Sequence, residues 1–115
     1  MPLIEIHAPP QPDAVDRAAI CSQVNEAVAA AIPCRLEAVW AVWRTIDGPF
    51  LKGNASADES GAPFGPIVHV YHHRTPEHVA RAVAAIEGVL ARELRVEPGD
   101  VFVTTQPVEV ELPRP

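Results

Sequence analysis

The chain is written twice, and nothing else in it limits the possible folds as much. "PLIEIHAPPQPDAVDRAA" begins at Pro2 and "PIVHVYHHRTPEHVARAV" begins at Pro66, 64 residues further on. The same offset relates Pro12 to Pro76, Val15 to Val79, Arg17 to Arg81, Ala18 to Ala82 and, near the end of each copy, Val39 to Val103. Self-similarity at one spacing marks a tandem repeat in which each copy is one supersecondary unit. The units span about residues 2–45 and 66–107, with a linker at about 46–65, inside a single domain covering 1–115.

Each copy reads strand, helix, strand. In the first, residues 3–8 alternate, with Ile4, Ile6 and Ala8 on one face and Leu3, Glu5 and His7 on the other. A proline-rich turn leads to Asp13, the expected helix start. Ile20, Val24, Val28 and Ala31 then form an apolar stripe, and Pro33 ends the helix. "LEAVWAVW" is the next strand. In the second copy the strand covers 67–73. Thr75, Pro76 and Glu77 supply a helix cap, a first-turn proline and a first-turn acid. Val79, Val83, Ile86, Leu90 and Leu94 carry the stripe, "EPGD" turns, and "VFVTT" is the last strand. The linker "DGPFLKGNASADESGAPFG" is rich in Gly, Ser and Pro and reads as a loop or short hairpin.

Strand–helix–strand units make parallel strand pairs with right-handed crossovers. Two of them give an α/β (α+β) domain, a four-stranded sheet with both helices on one face. The other face needs a cover. In "AVWAVW", Val39, Ala41 and Trp43 point one way and Trp40 and Val42 the other. A strand apolar on both sides is expected to be covered on both sides. The sequence offers no third layer, so a partner subunit is the natural cover, with Leu3, Glu5, Ile67 and His69 on the inner side.

Charge and composition exclude several classes of function. The formal net charge is −6 and no basic stripe offsets it, which argues against nucleic-acid binding. No apolar run approaches the roughly 20 residues of a membrane span. The start lacks a basic leading region, and Glu5 interrupts its apolar stretch, unlike a signal peptide. Cys21 and Cys34 give neither a disulfide framework nor zinc spacing and read as reduced, packed thiols of a cytoplasmic protein. Along one strand, at roughly 3.3 Å per residue, His69 and His73 stand about 13 Å apart, and His72 faces the other way. No metal site is expected, and no cofactor.

Pro2 is the residue with chemistry to offer. Proline cannot donate a ladder hydrogen bond and is found at strand starts, which accounts for its position. Removal of Met1 would add something else, because the Pro2 nitrogen would become a secondary amine. A free α-amino group titrates near roughly 7.7–8.0, and burial and neighbouring cations favour its neutral form. Such an amine can act as a base at neutral pH.

Pro2 at the head of "PLIEI", the duplicated unit and the chain length together resemble the tautomerase superfamily. That superfamily includes 4-oxalocrotonate tautomerase, 5-(carboxymethyl)-2-hydroxymuconate isomerase and macrophage migration inhibitory factor. "GPFLKG" followed by "IVHVYHHRTPEH" is most similar to the cis-3-chloroacrylic acid dehalogenase branch. The resemblance covers nearly the whole chain. It implies a homotrimer, a processed amino-terminal proline that moves a proton in a small enolisable carboxylate, and arginines that bind that carboxylate.

Carried over residue by residue, the resemblance makes Pro2 the base and Arg74, at the end of the third strand, the carboxylate binder. An arginine suits the second role because its planar fork matches a carboxylate. His73 and His72 are candidate donors to the substrate, and Phe50 corresponds to an aromatic pocket position. Trp40 falls where the small isomerases have an arginine, and Arg44 at that strand's end could stand in for it. The dehalogenase branch has a second arginine where this chain has His73, and a water-activating histidine near Val28. Thr104 falls near its tyrosine, and its late glutamate has no counterpart here. These departures favour an isomerase. A lyase, hydratase or dehalogenase using the same proline is one alternative. A noncatalytic trimer is another, because a retained Met1 would leave Pro2 an amide.

Overall fold

The structure, a computed structural model, describes residues 2–56 and 65–108. The elements follow in the order β1 (Leu3–Ala8), α1 (Arg17–Ala31), β2 (Trp40–Thr45), β3 (Leu51–Lys52), β4 (Ala55–Ser56), β5 (Ile67–His72), α2 (Pro76–Leu94) and β6 (Phe102–Pro107). Short 3-10 turns at Leu36–Ala38 and Pro98–Asp100 lead into β2 and β6. The main sheet has the order β2-β1-β5-β6. Pairing is parallel within each unit, β1 with β2 and β5 with β6, and antiparallel where the units meet, β1 with β5. The linker contains the small hairpin β3–β4, whose turn has Gly53 in the left-handed region, at φ 64.

The helix-facing side of the sheet is built from the residues that alternation assigns to it. Ile4, Ile6, Val68 and Val70 are buried there, against Ile20, Val24 and Val28 of α1 and Ile86 and Leu90 of α2. The spacing of four along α1 keeps its three buried residues on one stripe. In α2, Thr75 caps the first turn by accepting from the His78 N–H, and Pro76 occupies the position where its missing N–H costs nothing. The helix ends at Arg95 in the left-handed conformation.

Several bounds differ from those expected: β5 ends at His72 and not at residue 73, and β6 covers Phe102–Pro107 and not 101–105, because the ladder with β5 sets its ends. Helix α1 starts at Arg17 and not at Asp13. Asp16 is the cap, its carboxylate accepting from the Ala19 N–H at 3.0 Å. Both aspartates are good caps by type, and the Val15 N–H bonds the Pro12 carbonyl, so a turn occupies the earlier residue. "LEA" of "LEAVWAVW" forms a 3-10 turn, and β2 begins at Trp40. The repeat offset of 64 holds for β1 and β5 but not beyond them. The Trp40 N–H donates to the Pro2 carbonyl and the Phe102 N–H to the Pro66 carbonyl, so the equivalent residues are Trp40 and Phe102, 62 apart. Val39 therefore corresponds to Val101, both buried in front of their strands, and not to Val103. The segments between strands have different lengths in the two copies, and sheet pairing sets the equivalence.

The far side of the sheet is open in the single chain. Register aligns Trp40 and Val42 of β2, Leu3, Glu5 and His7 of β1, Ile67, His69 and Tyr71 of β5, and Phe102 and Thr104 of β6 on it. Trp40 is 54% exposed, Val42 39% and Phe102 63%. Polar groups hold the middle. His7 Nε2 lies 3.1 Å from Glu5 Oε2, and His69 Nδ1 lies 2.7 Å from the Thr104 hydroxyl. The rings of His7 and His69 meet edge to face at 5.2 Å.

Candidate active site

Strand direction gathers most of the candidate residues at one end of the sheet. β1 starts there and β5 and β6 end there, so Pro2, His72 and Pro107 fall in a row. His72 pairs with Pro107, and the β1–β5 register, which aligns Leu3 with Tyr71, continued by one residue sets Pro2 opposite His72. Pro2 is fully buried on the helix-facing side, in line with Ile4. Its carbonyl accepts the Trp40 N–H at 3.0 Å, which fixes the start of β1 against β2. Met1, on whose removal the amine depends, lies outside the described residues.

His72 is the one buried polar or charged residue among the described residues, 7% exposed. Alternation puts it on the same side as Val68 and Val70. Its Nδ1 accepts the backbone N–H of Arg74 at 3.1 Å, a bond that requires this nitrogen to carry no proton. Burial, first, and the neighbouring His73, second, push the His72 pKa below its ordinary value. His72 is therefore a neutral imidazole with its hydrogen on Nε2.

Arg74 follows the strand end and is half-buried. One guanidinium nitrogen, Nη1, donates to the Pro33 carbonyl at 3.4 Å. No carboxylate among the described residues pairs with it, so its charge is available to an anion. Arg74 and His72 line one end of a cleft of about 810 Å³ between α2 and β6. Val79 and Val83 of α2 and Val103 and Thr105 of β6 form its walls, and Glu87 stands further along the helix. Periodicity puts Val79 and Val83 on the apolar stripe of α2. They sit where α2 leaves the edge strand β6 uncovered, and they face the cleft. The cleft is not legible in the sequence, because it depends on how α2 lies over β5 and β6.

The other candidates do not line this cleft. His73 is exposed past the end of β5. Trp40 is bonded through its backbone to Pro2, but its ring is on the open face of the sheet, where Nε1 donates to the Glu37 carbonyl at 3.2 Å. Phe50 follows the far end of β2, after the cis Gly48–Pro49 bond, and so leaves the sheet at the end opposite Pro2. It is half-buried with its ring against Gly48. Arg44 is exposed on β2. Val28 is fully buried in the core, remote from solvent. Cys21 is half-buried, and burial raises its thiol pKa, so it is no thiolate at neutral pH.

No protein-family model and no curated protein matches the chain. Solved structures do. Native fused 4-OT matches with a TM-score of 0.79 at 19% identity, over 92% of this chain and 86% of its own. The F6 fused 4-OT, an asymmetric trimer, gives 0.76 at 16% identity, over 92% and 85%. Macrophage migration inhibitory factor from Giardia lamblia gives 0.68 at 17% identity, over 91% and 97%. N1, a member of the cis-3-chloroacrylic acid dehalogenase family, gives 0.66 at 14% identity, over 92% and 74%. The mixed sheet with its two crossover helices is thus the tautomerase fold, shared by this chain with fused 4-OT, macrophage migration inhibitory factor and N1.

Proposed function

We propose that this protein is a cofactor-independent tautomerase of small enolisable carboxylates, with Pro2 as base after loss of Met1. The observation that carries the reading is the proline itself. It heads the first strand of a tautomerase fold, is fully buried, and falls opposite His72 at the sheet end where Arg74 offers an unpaired charge. Burial and a nearby guanidinium both hold an amine below its usual pKa, which suits a base at neutral pH.

In this reading Arg74 binds the carboxylate of an enolised 2-oxo acid such as phenylpyruvate or 2-hydroxymuconate. The Pro2 nitrogen takes the proton from the 2-hydroxyl, the oxygen's electron pair forms the carbonyl, and the prolinium returns a proton to the carbon end of the former double bond. The sum is an isomerisation, and the amine is regenerated. His72 or His73 supplies a further donor. Phe50 and Trp40 complete the pocket from other subunits of a homotrimer, since neither lines the cleft beside Arg74 within one chain. The exposed Trp40, Val42 and Phe102 on the open sheet face support self-association, as does the trimeric state of F6 fused 4-OT.

The direct test is ketonisation of an enolised 2-oxo acid by the native protein and by Pro2→Ala. The substitution keeps a primary amine and should leave a small residue of activity. Full activity in Pro2→Ala would remove the proline from the mechanism.

A further inference from the structure

Two histidines adjoin Arg74, and the structure treats them differently. His73 is exposed to water. His72 is nine-tenths buried, lines the cleft beside Arg74 and lies opposite Pro2 in the strand register. Its Nδ1 is taken by the backbone N–H of Arg74, and its Nε2 has no hydrogen-bond partner among the described residues. Nε2 is not among the fully buried unpaired polar atoms, so in a residue that lines the cleft it is open to a ligand, and an N–H held there without a protein partner is free to donate to one.

We infer that His72, locked as the Nε2–H tautomer by the backbone of Arg74, donates a hydrogen bond to the substrate's 2-oxygen as negative charge builds there. The inference rests on the tautomerase reading and assigns within it a residue and an atom. A neutral imidazole suits the role. It can polarise an oxygen without surrendering its own proton, so proton traffic stays with Pro2. An imidazolium would set a buried cation beside the half-buried Arg74, and Glu87, the acid lining the cleft, stands farther along α2. The lock also couples two functions. The backbone of Arg74 fixes the tautomer while its side chain meets the carboxylate, so both contacts are set by one turn of chain.

Two substitutions separate this role from a structural one. Asparagine places an oxygen near the position of Nδ1 and can still accept from the Arg74 N–H, but it has nothing at Nε2. Glutamine reaches with an amide N–H toward the position of Nε2 and gives up the local acceptor. In ketonisation assays of a 2-oxo acid enol, His72→Asn should lose about 10²-fold in kcat, the cost of one oxyanion donor, while His72→Gln retains most of it. Equal losses in the two variants, or a greater loss in His72→Gln, would overturn the donor role and leave His72 a cap for the Arg74 backbone. If either variant fails to fold, imidazole 1H–15N correlation spectra of the native protein decide. They should show Nδ1 unprotonated and Nε2 protonated at neutral pH, and the reverse tautomer would contradict the inference. Pro2→Ala is measured in the same assay. If it is as active as the native protein, the tautomerase reading has failed, whereas a failed His72 role alone leaves Pro2→Ala impaired.

Discussion

In the proposed site Arg74 acts through two different groups, its side chain and its backbone. The guanidinium leans on the Pro33 carbonyl at the end of the first helical segment, a long bond of 3.4 Å to a neutral acceptor that a carboxylate would readily replace. Arg74→Ala should therefore lower kcat/KM for acidic substrates by about 10- to 100-fold, the worth of a charge-assisted hydrogen bond. Folding should survive, because the side chain is only half-buried. Arg74→Lys should recover part of the loss, since an ammonium lacks the two-pronged fork. Steady-state kinetics on both variants check this, and unchanged kinetics in Arg74→Ala would refute the assignment. His72 adds a pH effect on stability. Its pKa is lower in the folded state, so the unfolded chain binds more protons near its ordinary value of 6.5, and stability rises with pH in that range. Chemical denaturation should show stability falling as pH drops below about 6.5, with less of a fall in His72→Asn. That His72, and not His73, shares a face with Val68 and Val70 was legible in the sequence through strand parity. The bond from the Arg74 N–H was not, since it depends on how the chain turns after β5.

The elements show where a repeat in sequence stops being a repeat in structure. Pro2 and Pro66 occupy the same place, each accepting from the first residue of its partner strand. Pro12 and Pro76 share only the spacing. Pro76 opens α2, whereas Pro12 sits in a turn ahead of the cap at Asp16. Hydrophobic alternation and the Thr75 cap were strong enough to read, because each is a local preference that tertiary packing reinforces. The start of α1 was not, because Asp13 and Asp16 have equal local claims. The second unit also carries a constraint no periodicity announces. A Cβ on Gly65 would run into the backbone carbonyl of Asp100, where the chain entering β5 passes the 3-10 turn before β6. Gly65→Ala should destabilise the fold by about 1–3 kcal/mol, as overpacking does. Gly99, in the same turn with open space around it, serves as the control. Denaturant midpoints of the two alanine variants test this, and equal midpoints would show that the close approach is not constraining.

On the scale of the whole molecule, the two units form one sheet with an apolar rim on its open side and a polar middle. Trp40 and Phe102 are equivalent residues of the two copies, at diagonal corners of that face, so the same aromatic anchor is presented twice. Between them lie Glu5, His7, His69 and Thr104, bonded among themselves and hence able to enter an interface without leaving those groups unpaired. The apolar residues on this open face were legible in "AVWAVW", where Trp40 and Val42 alternate with Ala41 and Trp43. Which residues of a partner cover it is not a property of one chain. Replacing both Trp40 and Phe102 by glutamate should turn a trimer into monomers at micromolar concentration in analytical ultracentrifugation. The native protein sedimenting as a monomer would count against the assembly.

All these scales meet at the Pro2 nitrogen, because fold, burial and Arg74 can use it as a base only if it is an amine. The most direct measurement compares ketonisation by two forms of the protein, one beginning at Pro2 and one retaining Met1, with the intact mass of each sample determined alongside the rate. The form beginning at Pro2 should turn over a 2-oxo acid enol, faster as pH rises and the amine deprotonates, and the Met1-retaining form should be inert. Equal rates in the two forms would contradict the account, because an amide nitrogen cannot take the proton.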